Sequence, residues 1–309
     1  MARRQRGVFK GVFMSDSDYI PAEWEKNIPD GEFVSRSTSY QVGKYFDLFD
    51  QYTYPNAETG DIKYYVYDPI KHGAAADGKY PLIVFFHGAG NSMDGINVIN
   101  YSMAEYYASP EYQKTIGGAY LLVPVANEKV DEKGELVNGW SGPYYEPVIN
   151  IKRQFIENHK ANIGKTFFMG TSDGAFFLWG MISRYSNEID VAVPVSGGFI
   201  PDEAKLKEVH DNGTLILSMH GKHDELIPFD DLVAPHLEKL SKFDNIITWY
   251  PEWIHNSDGG IAQLAPGGMQ MGQHCLCNQI TANLIYDDGK PYNPELFPQG
   301  MTGWIRDHK

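Results

Sequence analysis

The sequence predicts an α/β protein: one mostly parallel, doubly wound sheet flanked by helices. Three observations carry this expectation. Apolar runs too uniform to face water on either side recur along the chain, as central parallel strands require. Segments with helical spacing separate them. No internal repeat or long linker interrupts the alternation.

The strand series begins with IKYYVYDPI (62–70), which has strand composition and ends near a proline. YPLIVFFHGAG (80–90) and AYLLVPVAN (119–127) are continuous apolar runs. KTFFMG (165–170), VAVPVSGG (191–198), TLILSMHG (214–221) and NIITWYP (245–251) complete it. Helical spacing falls at 92–107, 145–160, 174–186 and 230–242, and CLCNQITANLIY (275–286) reads as the final helix. The first 60 residues are polar, aromatic and turn-rich. Short strands are expected there, for example over 33–40.

Composition narrows the function. The chain has 309 residues, 42% of them hydrophobic, enough for a sizeable core. Lys and Arg total 26 against 40 Asp and Glu, a formal net charge of −14. Such a chain repels phosphate backbones and anionic lipid, so no nucleic-acid or membrane partner is expected. No run approaches the ~18 apolar residues of a membrane span. The N-terminus MARRQRGVFKGVFMSDSD is basic, but no apolar stretch of signal length follows. The expected location is cytoplasmic, or secreted if a signal segment has been removed. Cys275 and Cys277 are separated by Leu276 alone, too close for ordinary disulfide geometry, and are read as reduced thiols. No C-x-x-C pair exists, and neither a metal nor an organic cofactor is expected.

In a sheet of this kind, reacting groups collect at the carboxyl ends of the strands. GTSDGA (170–175) lies there, between the strand KTFFMG and the helical FFLWGMISRY. This is G-x-S-x-G in a strand–turn–helix context. The turn is so tight that its flanking positions exclude side chains, and it thrusts the Ser172 hydroxyl outward as a nucleophile. The following helix N-terminus favours negative charge nearby. Two strands earlier, HGAG (87–90) closes PLIVFF. Its glycines let backbone N–H groups face a reacting carbonyl, so the oxyanion donors are assigned to Ala89 and Asp173. His87 is read as a structural residue of that loop.

The acid is Asp224, directly after the strand TLILSMHG and ahead of the apolar LIPF. It would orient the base and stabilise its imidazolium. Glu225, Asp230 and Asp231 are its neighbours. Two histidines, His255 and His274, follow the last strand, and both keep the order Ser, Asp, His. Residue spacing alone does not choose between them.

With these residues assigned, residues 80–304 resemble bacterial serine esterases of the α/β-hydrolase superfamily. Feruloyl-esterase-like, polyhydroxybutyrate-depolymerase-like and prolyl-oligopeptidase-like esterases are the nearest kinds. The resemblance rests on HGAG, MGTSDGAFF, VPVSGG, HGKHDELIPF, WYPEWIH, GQHCLCNQ and the closing GWI. It implies an α/β-hydrolase catalytic domain over 61–309, preceded by an extension (1–60) with extra strands. In that group the catalytic histidine sits in a G-H-x-x-W-type segment before the last helix. GQHCLCNQ matches it with Gln273 inserted and no Trp, which implies His274 as the base and His255 as the alternative.

The expected reaction is ester hydrolysis through a Ser172–His274–Asp224 triad and an acyl-enzyme. Trp140, Tyr144, Tyr145 and Trp253 lie in loops expected at the cleft mouth. Trp140 and Trp253 are the candidate substrate contacts, stacking on an aromatic acyl group or a sugar ring. A small-molecule or oligosaccharide ester is therefore the expected partner, such as a phenolic-acid or acetyl ester of plant polysaccharide. The alternatives are a prolyl-oligopeptidase-like serine peptidase, for whose gating domain 309 residues leave no room, and an inactive hydrolase-fold binding protein.

Overall fold

The computed structural model describes residues 21–36, 44–92, 104–265 and 269–309. Its centre is an eight-stranded sheet. In chain order the strands are β1 (Asp50–Tyr54), β2 (Ile62–Tyr67), β3 (Tyr80–Phe86), β4 (Tyr120–Pro124), β5 (Ile163–Thr171), β6 (Val191–Val195), β7 (Leu215–Met219) and β8 (Ile246–Trp249). Their spatial order is β8-β7-β6-β5-β3-β4-β2-β1. From β4 to β8 all neighbours are parallel, whereas β2 is antiparallel to both β1 and β4. IKYYVYDPI thus forms an antiparallel strand of the mostly parallel sheet, a direction its composition does not encode. Strand β1 lies before residue 60, so the sheet runs across the 60/61 boundary. A second early strand, Val34–Ser35, pairs with Ile261–Ala262. Residues 37–40 of the expected strand lie outside the described residues.

Alternation along β3 builds two cores. Leu82, Val84 and Phe86 point to one side, with Trp140, Tyr144 and Phe177. Ile83 and Phe85 point to the other, with Phe167, Met169 and Trp304. Every residue of β3 is buried, as a central strand covered on both faces requires. Strand β8 is an edge and only half-buried.

The main helices are α1 (Pro110–Ile116), α2 (Gly142–His159), α3 (Asp173–Tyr185), α4 (Glu203–Asp211), α5 (Leu276–Thr281) and α6 (Gly300–His308). Helix α2 starts three residues before its expected position and carries Pro in its first turn. Of the helix expected at 92–107, Ala104–Tyr107 is helical and 93–103 lie outside the described residues. The single helix expected at 230–242 is three short pieces: Phe229–Leu232, the 3-10 turn Ala234–His236 and Leu237–Leu240. Pro235 explains the break, since it has no N–H and its ring collides with the preceding turn. Likewise α5 is not the final helix. Asn283 and Leu284 take left-handed backbone (φ 62 and 53), and the Asn283 side chain accepts the Thr302 amide at 2.8 Å, at the start of α6. Among the described residues, no helix is long and apolar enough to cross a membrane.

Candidate active site

Strand β5 delivers Ser172 to the carboxyl edge of the sheet and α3 begins immediately after it. Ser172 has φ 53 and ψ −117, a conformation that L-residues rarely adopt. Its amide is tied to the Val195 carbonyl of β6 at 2.9 Å. Glycine is forced on either side. A Cβ at Gly170 would lie 2.4 Å from the Gly174 carbonyl, and one at Gly174 would lie 2.3 Å from the Phe86 carbonyl. The strained turn is therefore seated against the end of β3 and cannot relax.

The imidazole of His274 bridges two partners. Its Nε2 is 3.0 Å from Ser172 Oγ, and its Nδ1 is 2.9 and 2.8 Å from the two Asp224 carboxylate oxygens. Asp224 is buried in the loop five residues past β7, where Oδ1 also accepts the amides of Leu226 and Ile227 at 2.9 and 2.7 Å. The loop that carries Asp224 is closed by buried His220, whose Nε2 is 2.8 Å from the Ile227 carbonyl. Burial lowers the pKa of His220, with the Asp224 charge opposing. His255 is not brought to Ser172. Its Nε2 faces Glu32 at 3.5 Å, and its backbone bridges to Ile261.

The HGAG loop follows β3. His87 is fully buried and its burial lowers its pKa. The Ala126 amide donates to Nε2 at 3.0 Å, so the ring proton sits on Nδ1 and donates to the Gly88 carbonyl at 2.8 Å. The amides of Gly88 and Gly90 are taken by side chains: Asn91 Oδ1 at 3.1 Å and Glu128 Oε1 at 2.9 Å. The Ala89 amide between them has no acceptor among the described residues. Asp173 begins α3, so its amide is at the helix N-terminus. The other Glu128 oxygen accepts the Ser92 amide at 3.0 Å and hydroxyl at 2.7 Å. This buried carboxylate, compensated by loop donors, organises the HGAG loop and escaped the sequence reading. Its signal was its position a few residues past the carboxyl end of β4.

Two aromatic assignments change. Trp140 is 7% exposed and lies beneath the loop, its ring stacked on Phe177 at 4.7 Å and its indole N–H donating to the His87 carbonyl at 3.0 Å. Tyr144 is fully buried, its hydroxyl accepting the Asn127 amide. Neither reaches a cleft mouth. Trp253 is half-buried, stacks on His223 at 3.9 Å and borders a cavity of about 240 Å³ with Trp249, His255 and Tyr292. Cys275 is buried, and the Cys277 side chain lies outside the described residues. Among the described residues, no group of three or more His, Cys, Asp or Glu is arranged to hold a metal ion.

Comparison with solved structures places this architecture. A thermostable esterase superposes with a TM-score of 0.57 at 22% identity, over 76% of this chain and 60% of the esterase. The fold is that of the α/β hydrolases. The chain spans about 60% of the length of that esterase. A ferulic acid esterase matches with a TM-score of 0.50 at 15% identity, over 67% of this chain and 91% of its own. A putative α/β hydrolase from Agrobacterium tumefaciens has a TM-score of 0.49 at 13% identity, over 75% of this chain and 92% of its own. No protein-family model and no curated protein matches the sequence.

Proposed function

We propose that this protein is a serine hydrolase of carboxylic esters. Ser172 is the nucleophile, His274 the general base and Asp224 the residue that orients it. The observation that carries the reading is the unbroken line from Asp224 through His274 to the strained Ser172, with 3.0 Å between Nε2 and Oγ. That distance is within reach for direct proton transfer.

Ser172 Oγ attacks the ester carbonyl while His274 Nε2 takes its proton. Asp224 stabilises the imidazolium, and the amides of Ala89 and Asp173 bind the oxyanion. Collapse breaks the bond to the alcohol, which leaves with the proton from His274. Water then adds to the acyl-enzyme by the same route and releases the acid and the free serine.

The substrate reading is a phenolic-acid or acetyl ester of plant polysaccharide, acted on in the cytoplasm or, for a processed chain, outside the cell. With Trp140 and Tyr144 in the core, its aromatic support is Trp253 together with Phe199. Phe199 is 64% exposed four residues past β6, at φ 63, edge-to-face with Phe176.

Release of nitrophenol from short acyl esters tests the mechanism. Ser172→Ala abolishes turnover, and unchanged hydrolysis would sink the nucleophile assignment. An organophosphate labels wild type once, at Ser172. A panel of methyl ferulate, acetylated xylan, tributyrin and short peptides tests the substrate class. Preference for peptides would replace the esterase reading by the peptidase one.

A further inference from the structure

We propose that Glu225 is the positioning residue of the base, and that Trp24 holds Glu225 in that role. The inference rests on His274 serving as the base for Ser172.

His274 lies in an irregular segment between Met269 and Leu276. A segment without a helix or strand needs other ties if its imidazole is to stay within hydrogen-bond reach of a serine. Two side chains supply them. Gln273 ties the loop sideways: its Nε2 donates to the carbonyls of Ile254 at 3.0 Å and Ala262 at 2.7 Å, and its Oε1 accepts the Ile254 amide at 2.9 Å. Glu225 ties it to the acid. One carboxylate oxygen accepts the His274 amide at 2.9 Å, and the other accepts the Gln273 amide at 3.3 Å. The His274 amide also reaches the Met271 carbonyl at 3.2 Å.

Asp224 and Glu225 are consecutive, so one loop grips the base twice. Asp224 holds the ring and Glu225 holds the backbone that carries it. The second grip fixes where Cα of His274 stands, which the ring contact alone leaves free to swing. Displacing a reacting group by about 1 Å costs on the order of a hundredfold in rate.

The third donor to Glu225 comes from the N-terminal segment. The Trp24 indole N–H reaches Oε1 at 3.0 Å, from the 3-10 turn Glu23–Asn27. Trp24 is 7% exposed, with its ring 5.7 Å from that of Trp253. Burial raises the Glu225 pKa, and these donors offset that by favouring the carboxylate. The early segment, which has no evident role in the sequence, thus completes the support of the base.

The test compares wild type with Trp24→Phe, Glu225→Gln and Glu225→Ala. It measures kcat and KM on a nitrophenyl ester, the rate of organophosphate labelling at Ser172, and the thermal midpoint. Glu225→Ala should lower kcat by roughly a hundredfold with KM changed by less than about twofold, because the defect is in the transition state. Labelling slows in parallel. Glu225→Gln keeps one acceptor oxygen and recovers roughly tenfold of the loss, and Trp24→Phe costs only about three- to fivefold. Full kcat in Glu225→Ala, or a rise in KM alone, overturns the proposal. If Glu225→Ala does not fold, equal kcat in wild type, Trp24→Phe and Glu225→Gln overturns it instead. The triad reading fails separately, if Ser172→Ala and His274→Ala retain activity.

Discussion

Trp140 gives its indole N–H to the main-chain carbonyl of His87 at 3.0 Å, and the two rings lie 4.9 Å apart. An indole so used supports the HGAG loop from below. Trp140→Phe should fill most of the same space and lose the hydrogen bond. We expect kcat to fall a few-fold, KM for an aromatic ester to stay unchanged, and stability to drop by about 1 kcal/mol. Denaturant unfolding and steady-state kinetics check this together. A large rise in KM with unchanged stability would return Trp140 to the substrate.

The two late histidines should separate cleanly. His274→Ala removes the group 3.0 Å from Ser172 Oγ and should lower kcat by at least about 10³-fold. His255→Ala loses a contact to Glu32 and should leave kcat within about threefold. Asp224→Asn presents an amide to His274 and favours the wrong tautomer, for a loss on the order of 10³- to 10⁴-fold. Loss of activity in His255→Ala alone would reverse the assignment of the base.

These residues differed in how far the sequence revealed them. Ser172 was legible because the elbow demands glycine at fixed local spacing, between a strand and a helix. Asp224 was legible because it directly follows an apolar strand. His274 and His255 were equivalent as loop histidines, and only the resemblance of GQHCLCNQ favoured the first. Trp140 was misread because an aromatic residue in a Gly- and Pro-rich stretch has the same composition at a rim as in a core. Periodicity ran on through Pro235 although the backbone could not. Glu225 was weighed only as a rival to Asp224, since nothing local shows that its carboxylate meets a loop about 50 positions away.

Glu128 offers a test of the oxyanion role proposed for the HGAG loop. Its fully buried carboxylate accepts Gly90, Ser92 N–H and Ser92 O–H. Glu128→Gln keeps one acceptor and turns an NH₂ toward a loop donor. Hydrogen bonds to a charged group contribute about 1.5–3 kcal/mol each, so stability should fall by that order. The kcat should fall about tenfold, because the Ala89 amide loses the frame that aims it. Lower stability with unchanged kcat would mean that Glu128 supports the fold and not the reaction.

Stability should also fall on mild acidification. Burial lowers the pKa of both His87 and His220 from the ordinary 6.5. In the unfolded chain each takes a proton near that value, while the folded chain resists until lower pH. The stability they contribute is therefore complete above 6.5 and is lost as pH falls through their folded values. At His87 the reason is geometric: protonated Nε2 would carry a hydrogen pointing at the Ala126 amide, which now donates to it. Glu225 acts in the opposite sense. Its raised pKa lets the folded chain hold a proton that the unfolded chain has released, so it adds stability as pH falls toward 4.5. The two buried histidines, with His236 shifted the same way by burial and the Lys239 charge, outweigh the one carboxyl and give a net loss below pH 6.5. Calorimetry from pH 8 to 5.5 should show a falling Tm. His87→Asn should have a lower Tm at pH 8 but a flatter fall, since one of the two buried imidazoles is gone. A pH-independent Tm in wild type, or an unchanged slope in His87→Asn, would show that folding does not depress the His87 pKa.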